Sequence, residues 1–268
     1  MSRLAIITAH AGADSLSDAL RSWGYAQRNP AWMSYWQSEE HGDLGVFDGE
    51  AGMLQAYQRA YECLLPEHEI LAHIHDDLLL TEPYAPVWKR VMAEFDDPTV
   101  GVVGFGGALV HGSLDLYRIP FCVQQLGRSY YLSNTEDAEI HGARFGGECD
   151  VATLDGFALI MRRGLLEQVG GWPVGTPINY VGYDYWLTCV AHRLGYRVRL
   201  VGAKCLHLGG RTSVAQKRIP KDGAGHYEAH RYLWETYPDV LPWDCRAKFP
   251  SLGGDAPAAQ GSGTVERG

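Results

Sequence analysis

Short apolar runs and helix-spaced apolar positions alternate along the first hundred residues. Leu4-Ala-Ile-Ile-Thr8 is an apolar run that ends in small and polar residues, the mark of a strand buried on both faces of a parallel sheet. Leu16, Ala19, Leu20 and Trp23 then recur at helical spacing over Asp14 to Trp23, with Asp14 or Ser15 placed to cap the helix. Met53, Leu54, Ala56, Tyr57, Ala60 and Leu64 predict a second helix over Gly52 to Leu65, which Pro66 cannot continue. A strand over Ile70 to Ile74, a helix over Tyr84 to Phe95 and a strand over Val100 to Gly104 follow. Such β/α alternation predicts an α/β fold, a mostly parallel central sheet covered by helices on both faces.

Residues 105–150 break this rhythm. They are rich in Gly and Tyr and read as a long excursion over one face, a place for a substrate platform. Regular patterning returns with a strand over Ala158 to Met161, helices over Arg163 to Val169 and Asp184 to Leu194, and a strand over Val198 to Val201. After Gly209-Gly210 the chain is basic, then helical over His226 to Tyr237, and residues 250–268 carry no apolar periodicity and read as a disordered tail.

Composition narrows the class. A chain of 268 residues, 46% apolar and 21% charged, folds as one large or two small globular units. Its 32 acidic against 23 basic side chains leave a net charge of −9, which opposes nonspecific attraction to nucleic acid or anionic lipid. The six cysteines show no CxxC pairing, so they are expected to be reduced and mostly buried thiols. With no apolar run of about 18 residues, no membrane segment is expected and a cytoplasmic location follows as the default.

Four places could carry chemistry. His75-Asp76-Asp77 follows the strand at Ile70–Ile74, where an α/β sheet meets its ligands, and adjacent carboxylates there suit a divalent cation bridging to phosphate. A turn capping a following helix would account for them equally well. Asp155-Gly156 precedes the strand at Ala158 and lets a ligand approach closely, although a plain turn would look the same. Asp184, in Tyr180-Val-Gly-Tyr-Asp-Tyr-Trp-Leu187, opens a helix, where a dipole-stabilised carboxylate is either a cap or a base. His207 ends the strand that starts at Val198 and could ligate a metal.

The order and spacing of these elements resemble the GT-A glycosyltransferases of the inverting family-2 type over residues 3 to 214. The residues that carry the resemblance are Leu4 to Thr8, His75-Asp76-Asp77 in place of an Asp-x-Asp motif, Asp155-Gly156, Gly170-Gly171-Trp172, Gly182-Tyr183-Asp184, Gly195-Tyr196-Arg197-Val198 and His207 to Ser213. The resemblance implies a GT-A fold in one domain with a C-terminal helical extension: a nucleotide-sugar half at 1–107, an acceptor half at 108–214 and a lid or helix at 215–249. It implies Asp77 and His207 as ligands of Mn²⁺ or Mg²⁺, Asp184 as the catalytic base, and Asp155 and Trp186 as acceptor contacts. Thr8, His10, Asp48, Asp76, Arg211, Lys217 and Arg218 would contact the nucleotide-sugar donor, expected to be a UDP-sugar, the three cations folding over its diphosphate.

The match is not uniform. His75 stands where the family's first motif Asp would be, which weakens a metal role at that position, and Trp186 stands where a further acid is common. Residues 108–150 match nothing, so the acceptor is open: a glycan, a small molecule or a modified DNA base. The charge of −9 opposes DNA. A non-catalytic nucleotide- or glycan-binding module would share the fold and need no base.

Overall fold

The computed structural model describes residues 4–10, 16–25, 34–36, 43–48, 52–63, 68–112, 131–133, 143–144, 146–208 and 224–245. The first half contains β1 (Leu4–His10), α1 (Leu16–Ser22), β2 (Ser34–Trp36), β3 (Asp43–Asp48), α2 (Met53–Cys63), β4 (Ile70–Ile74), β5 (Leu78–Leu80), α3 (Tyr84–Glu94) and β6 (Val100–Gly104). Short strands follow: β7 (Gly106–Ala108), β8 (Val110–His111), β9 (Tyr131–Ser133), β10 (Ala143–Arg144), β11 (Cys149–Asp150) and β12 (Thr153–Leu154). The chain continues through β13 (Ala158–Arg162), α4 (Arg163–Val169), α5 (Tyr183–Arg193), β14 (Arg197–Leu200), β15 (Cys205–His207), α6 (Ala224–Thr236) and β16 (Trp243–Asp244).

The main sheet has eight strands in the order β11-β14-β6-β13-β4-β1-β3-β2. The pairs β1/β3, β1/β4 and β14/β6 are parallel, whereas β13 runs antiparallel between β4 and β6. Strands β1, β3, β4, β6 and β14 therefore point the same way, and their carboxyl ends share one rim.

Alternate residues of the central strands feed two cores. Ala5 and Ile7 of β1, with Leu159 and Met161 of β13, join α2 and α5 in one; Leu4, Ile6, Ala158 and Ile160 join α1 and α3 in the other. A strand buried on both faces has no polar alternation, which is why these segments read as continuous apolar runs. Strands contributed by residues 158–162 and 197–200 lie in the same sheet as β1 and β4, so the donor and acceptor halves expected from the resemblance share one sheet.

Two expectations need correction. Leu78–Leu80 is a strand, so Asp76 and Asp77 cap no helix. His207 does not end the strand at Val198: β14 stops at Leu200, and β15 pairs separately with β5, opposing His207 to Leu78. The excursion at 105–150 is partly structured, since β7, β9, β10 and β12 form a small four-stranded sheet. The cap residues Asp14 and Ser15, the basic stretch Arg211 to Lys221 and the tail at 250–268 lie outside the described residues. Among the described residues no cysteine is in a disulfide; Cys63 is exposed and Cys149, Cys189, Cys205 and Cys245 are buried. Among the described residues, no helix is long and apolar enough to cross a membrane.

Ile160 is fully buried in β13, paired to Ala72 and Val103. Ile160→Ala should lower stability by about 2–5 kcal/mol through lost burial and a residual cavity, read as a shifted urea midpoint at unchanged slope.

Candidate metal and acid-base site

The site forms at the rim because β13 starts where β4 ends. Ala158 pairs with Ile74, and the turn before β13 lies against the turn after β4, where the His75 amide donates to the Phe157 carbonyl at 3.0 Å. The β5/β15 pairing supplies the third segment, and the Leu208 amide donates to the Asp77 carbonyl at 3.1 Å. Thus residues 75–77, 155–157 and 207 are brought together by backbone hydrogen bonds rather than by side chains alone.

Three ligand-type atoms converge there. Nδ1 of His75 lies 3.3 Å from Nε2 of His207, that nitrogen lies 3.3 Å from Oδ1 of Asp77, and Nδ1 of His75 is 3.8 Å from the same oxygen. A point equidistant from the three atoms is roughly 2 Å from each, close to the bond length of a small divalent cation. Among the described residues, this is the one cluster with metal-ligand geometry. Burial raises the Asp77 carboxyl, but the His207 hydrogen bond and the neighbouring imidazoles outweigh it and hold the carboxyl below its ordinary range. His75 is held below the ordinary imidazole value, first by burial and then by His207. An ionised carboxylate beside a neutral imidazole is the state a cation needs, so the residues fit a metal.

Beside this cluster, α5 begins with Tyr183 and Asp184. Gly182 precedes it at φ +84°, a left-handed turn that suits glycine. The Tyr183 hydroxyl is 2.8 Å from Nε2 of His75. A Cβ on Gly156 would overlap that hydroxyl, which gives the glycine of Asp155-Gly156 a packing reason as well as a turn. Asp184 is pushed up to about 7, chiefly by burial and then by the charge of Asp155, against hydrogen bonds that include the Tyr185 and Gly156 amides. The Tyr185 amide donates to Oδ1 of Asp184 at 2.9 Å, so the first-turn capping role exists alongside the perturbed titration. Asp155 itself is partly exposed and accepts from the Phe157 amide at 3.4 Å.

The other candidate residues fall in different places. His10, at the end of β1, joins Nδ1 to Oδ2 of Asp76 at 2.9 Å, which ties two donor-site candidates together at the rim. Asp48 ends β3 opposite His10 in the backbone register. Thr8 is fully buried in β1, below the rim. Trp186 is also buried, 5.6 Å from Trp172 between ring centroids, in the core cluster behind α5. Arg211, Lys217 and Arg218 lie outside the described residues. Sequence reasoning missed two participants. For His75 the available signal is its spacing of two from Asp77 across a turn; Tyr183 enters the sequence reading only within Gly182-Tyr183-Asp184, because only the fold brings its hydroxyl across to His75.

No family model matches the sequence, and no curated protein matches it. Solved structures are similar to it. GalNAc-T7, solved with UDP, GalNAc and Mn²⁺, aligns with 88% of this chain and 49% of its own at 13% identity and a TM-score of 0.50. The mannosyltransferase PcManGT from Pyrobaculum calidifontis, solved with GDP-Man and Mn²⁺, aligns with 81% of this chain and 60% of its own at 15% identity and a TM-score of 0.46. The protein A197 from STIV aligns with 78% of this chain and 87% of its own at 13% identity and a TM-score of 0.45. The chain spans about half the length of GalNAc-T7. Its mixed main sheet, with β13 antiparallel inside a parallel set and β2 and β11 antiparallel at the edges, carries the cluster of ligand-type atoms at its carboxyl rim. The fold is the GT-A fold of glycosyltransferases.

In the metal-free protein the Asp184 carboxyl should titrate near 7 in a ¹³C-detected experiment, and Asp155→Asn should lower that midpoint while leaving it above the ordinary carboxylate range, because burial remains. A carboxyl raised in the fold favours folding while protonated, so stability should decline as pH climbs from about 4 to about 7, and Asp184→Asn should flatten that decline in pH-dependent melts.

Proposed function

We propose that the protein is a divalent-cation-dependent glycosyltransferase that moves a sugar from a nucleoside diphosphate sugar, a UDP-sugar first among candidates, to an acceptor hydroxyl. The observation that carries this reading is the convergence of His75, Asp77 and His207 beside the two carboxylates Asp155 and Asp184 on a GT-A rim. The donor would lie over the first half, 1–107, and the acceptor over 108–214, with 215–249 closing behind them.

His75, Asp77 and His207 would hold the cation, which supplies Lewis-acid neutralisation of the departing diphosphate. Two imidazole nitrogens and one carboxylate oxygen favour Mn²⁺ over Mg²⁺, whose preference is for oxygen. Asp76, steadied by His10, faces the same rim and is assigned to the ribose or sugar hydroxyls. Asp184 takes the acceptor's proton as the new bond forms. With its carboxyl pushed up to about 7, it is half ionised at neutrality and ionised above it, yet basic enough to receive that proton. Asp155 sustains this basicity by its charge and is assigned to orienting the acceptor.

Release of nucleoside diphosphate from a panel of UDP- and GDP-sugars, with and without Mn²⁺, tests the reading, and binding without turnover across the panel would sink it. Asp77→Ala should abolish Mn²⁺-dependent binding of UDP in titration calorimetry with the melting curve preserved. Asp184→Asn, which retains capping ability, should reduce turnover by about two to four orders of magnitude with donor affinity nearly unchanged; near-normal transfer would remove Asp184 as the base.

A further inference from the structure

Tyr183 is a buried phenol whose ring lies among other rings of the core, 6.0 Å from Tyr57 and 6.4 Å from Trp172 between centroids. Its hydroxyl leaves that core and reaches Nε2 of His75 at 2.8 Å. The opposite nitrogen of the same imidazole, Nδ1, is the one that faces His207 and Asp77. A neutral imidazole carries one ring proton, and a cation on Nδ1 requires that proton to sit on Nε2. A hydrogen-bond acceptor at Nε2 selects that tautomer and fixes the ring's rotation. The Tyr183 oxygen is such an acceptor.

We propose that Tyr183 is the positioning residue of the metal site: it accepts Nε2–H of His75, presents Nδ1 to the cation, and thereby ties metal affinity to the first turn of the helix that carries Asp184. Gly156 is the second part of the device. A side chain there would occupy the space of the Tyr183 hydroxyl, and the amide of the same glycine helps hold Asp184. One residue without a Cβ therefore keeps the tyrosine against the metal-binding imidazole and the carboxylate beside it. The inference rests on the metal reading given under the proposed function.

The test is Mn²⁺ affinity of the full chain, read from the electron paramagnetic resonance signal of free Mn²⁺, for the parent, Tyr183→Phe, Gly156→Ala, their combination and His207→Ala. Tyr183→Phe keeps the ring and its packing, so its melting temperature should stay within a few degrees of the parent while Mn²⁺ affinity falls about 10- to 100-fold. Gly156→Ala should lose affinity too, since its Cβ would meet both the Tyr183 hydroxyl and the ring carbon that bears it, and adding it to Tyr183→Phe should cost less than the two losses multiplied, whereas two independent structural effects would multiply. Gly156→Ala also reaches that bond from its other side, which keeps the inference decidable if Tyr183→Phe unfolds. At saturating Mn²⁺ the turnover of Tyr183→Phe should recover, the defect residing in the metal concentration required. Affinity within threefold of the parent in Tyr183→Phe overturns this inference alone, provided His207→Ala shows the site to be real. A parent that binds no Mn²⁺ overturns both this inference and the metal reading beneath it.

Discussion

The constraint on which the rest depends is the antiparallel insertion of β13 between β4 and β6. A parallel strand in that place would start at the far rim and carry its preceding turn away from His75. Because β13 runs the other way, its first residue pairs with the last residue of β4, and Asp155-Gly156-Phe157 arrives beside His75-Asp76-Asp77. The register matters as much as the direction, since a slip of one residue would turn Ala158 and Ile160 out of one core and into the other. The apolar alternation of β13 between two buried faces, with Phe157 itself in one core, thus fixes the position of Asp155 and Gly156.

Burial then acts on the two key carboxyls with opposite results. Both are removed from bulk water, which raises each. At Asp77 the hydrogen bond from His207 and the imidazoles around it overcome that push, and the group stays ionised. At Asp184 the nearest additional charge is another carboxylate, Asp155, which adds to the push instead. Carboxyls of one chemical type are thereby separated into one held ionised and one pushed toward protonation by what stands next to them. Nothing in their residue identity distinguishes them.

The β/α alternation was legible because strands buried on both faces leave continuous apolar runs, and because helices such as Met53–Cys63 keep their apolar residues on one face. Asp77, His207, Asp155 and Asp184 were legible as polar residues interrupting apolar segments at strand ends and helix starts. What stayed hidden depended on pairings distant in sequence. Leu78–Leu80 became a strand because Cys205–His207 lies against it, a contact that no local pattern announces. Trp186, an acceptor contact by the resemblance, lies on the face of α5 turned toward Trp172 and the core. Residues 105–150 were opaque for a related reason: strands of two or three residues are too short to show a period.

Behind the site, α5 has its own support. Gly182, at its start, leaves room for Ala229 of α6, to which a Cβ would come within 3.1 Å. At its other end, Arg193 pairs with Asp239 and lies over the Tyr237 ring, 4.1 Å from the centroid. The helix that presents Tyr183 and Asp184 to the rim is therefore backed by residues after 224, far from the motifs in sequence. Its start cannot drop toward the rim without opening the contact with Ala229, nor rise from it without breaking the hydrogen bond to His75. The separation between the metal-ligand cluster and the Asp184 carboxylate is set by packing on both sides of one helix, and the C-terminal segment is part of the site's geometry although none of its described residues contributes a ligand atom to the cluster.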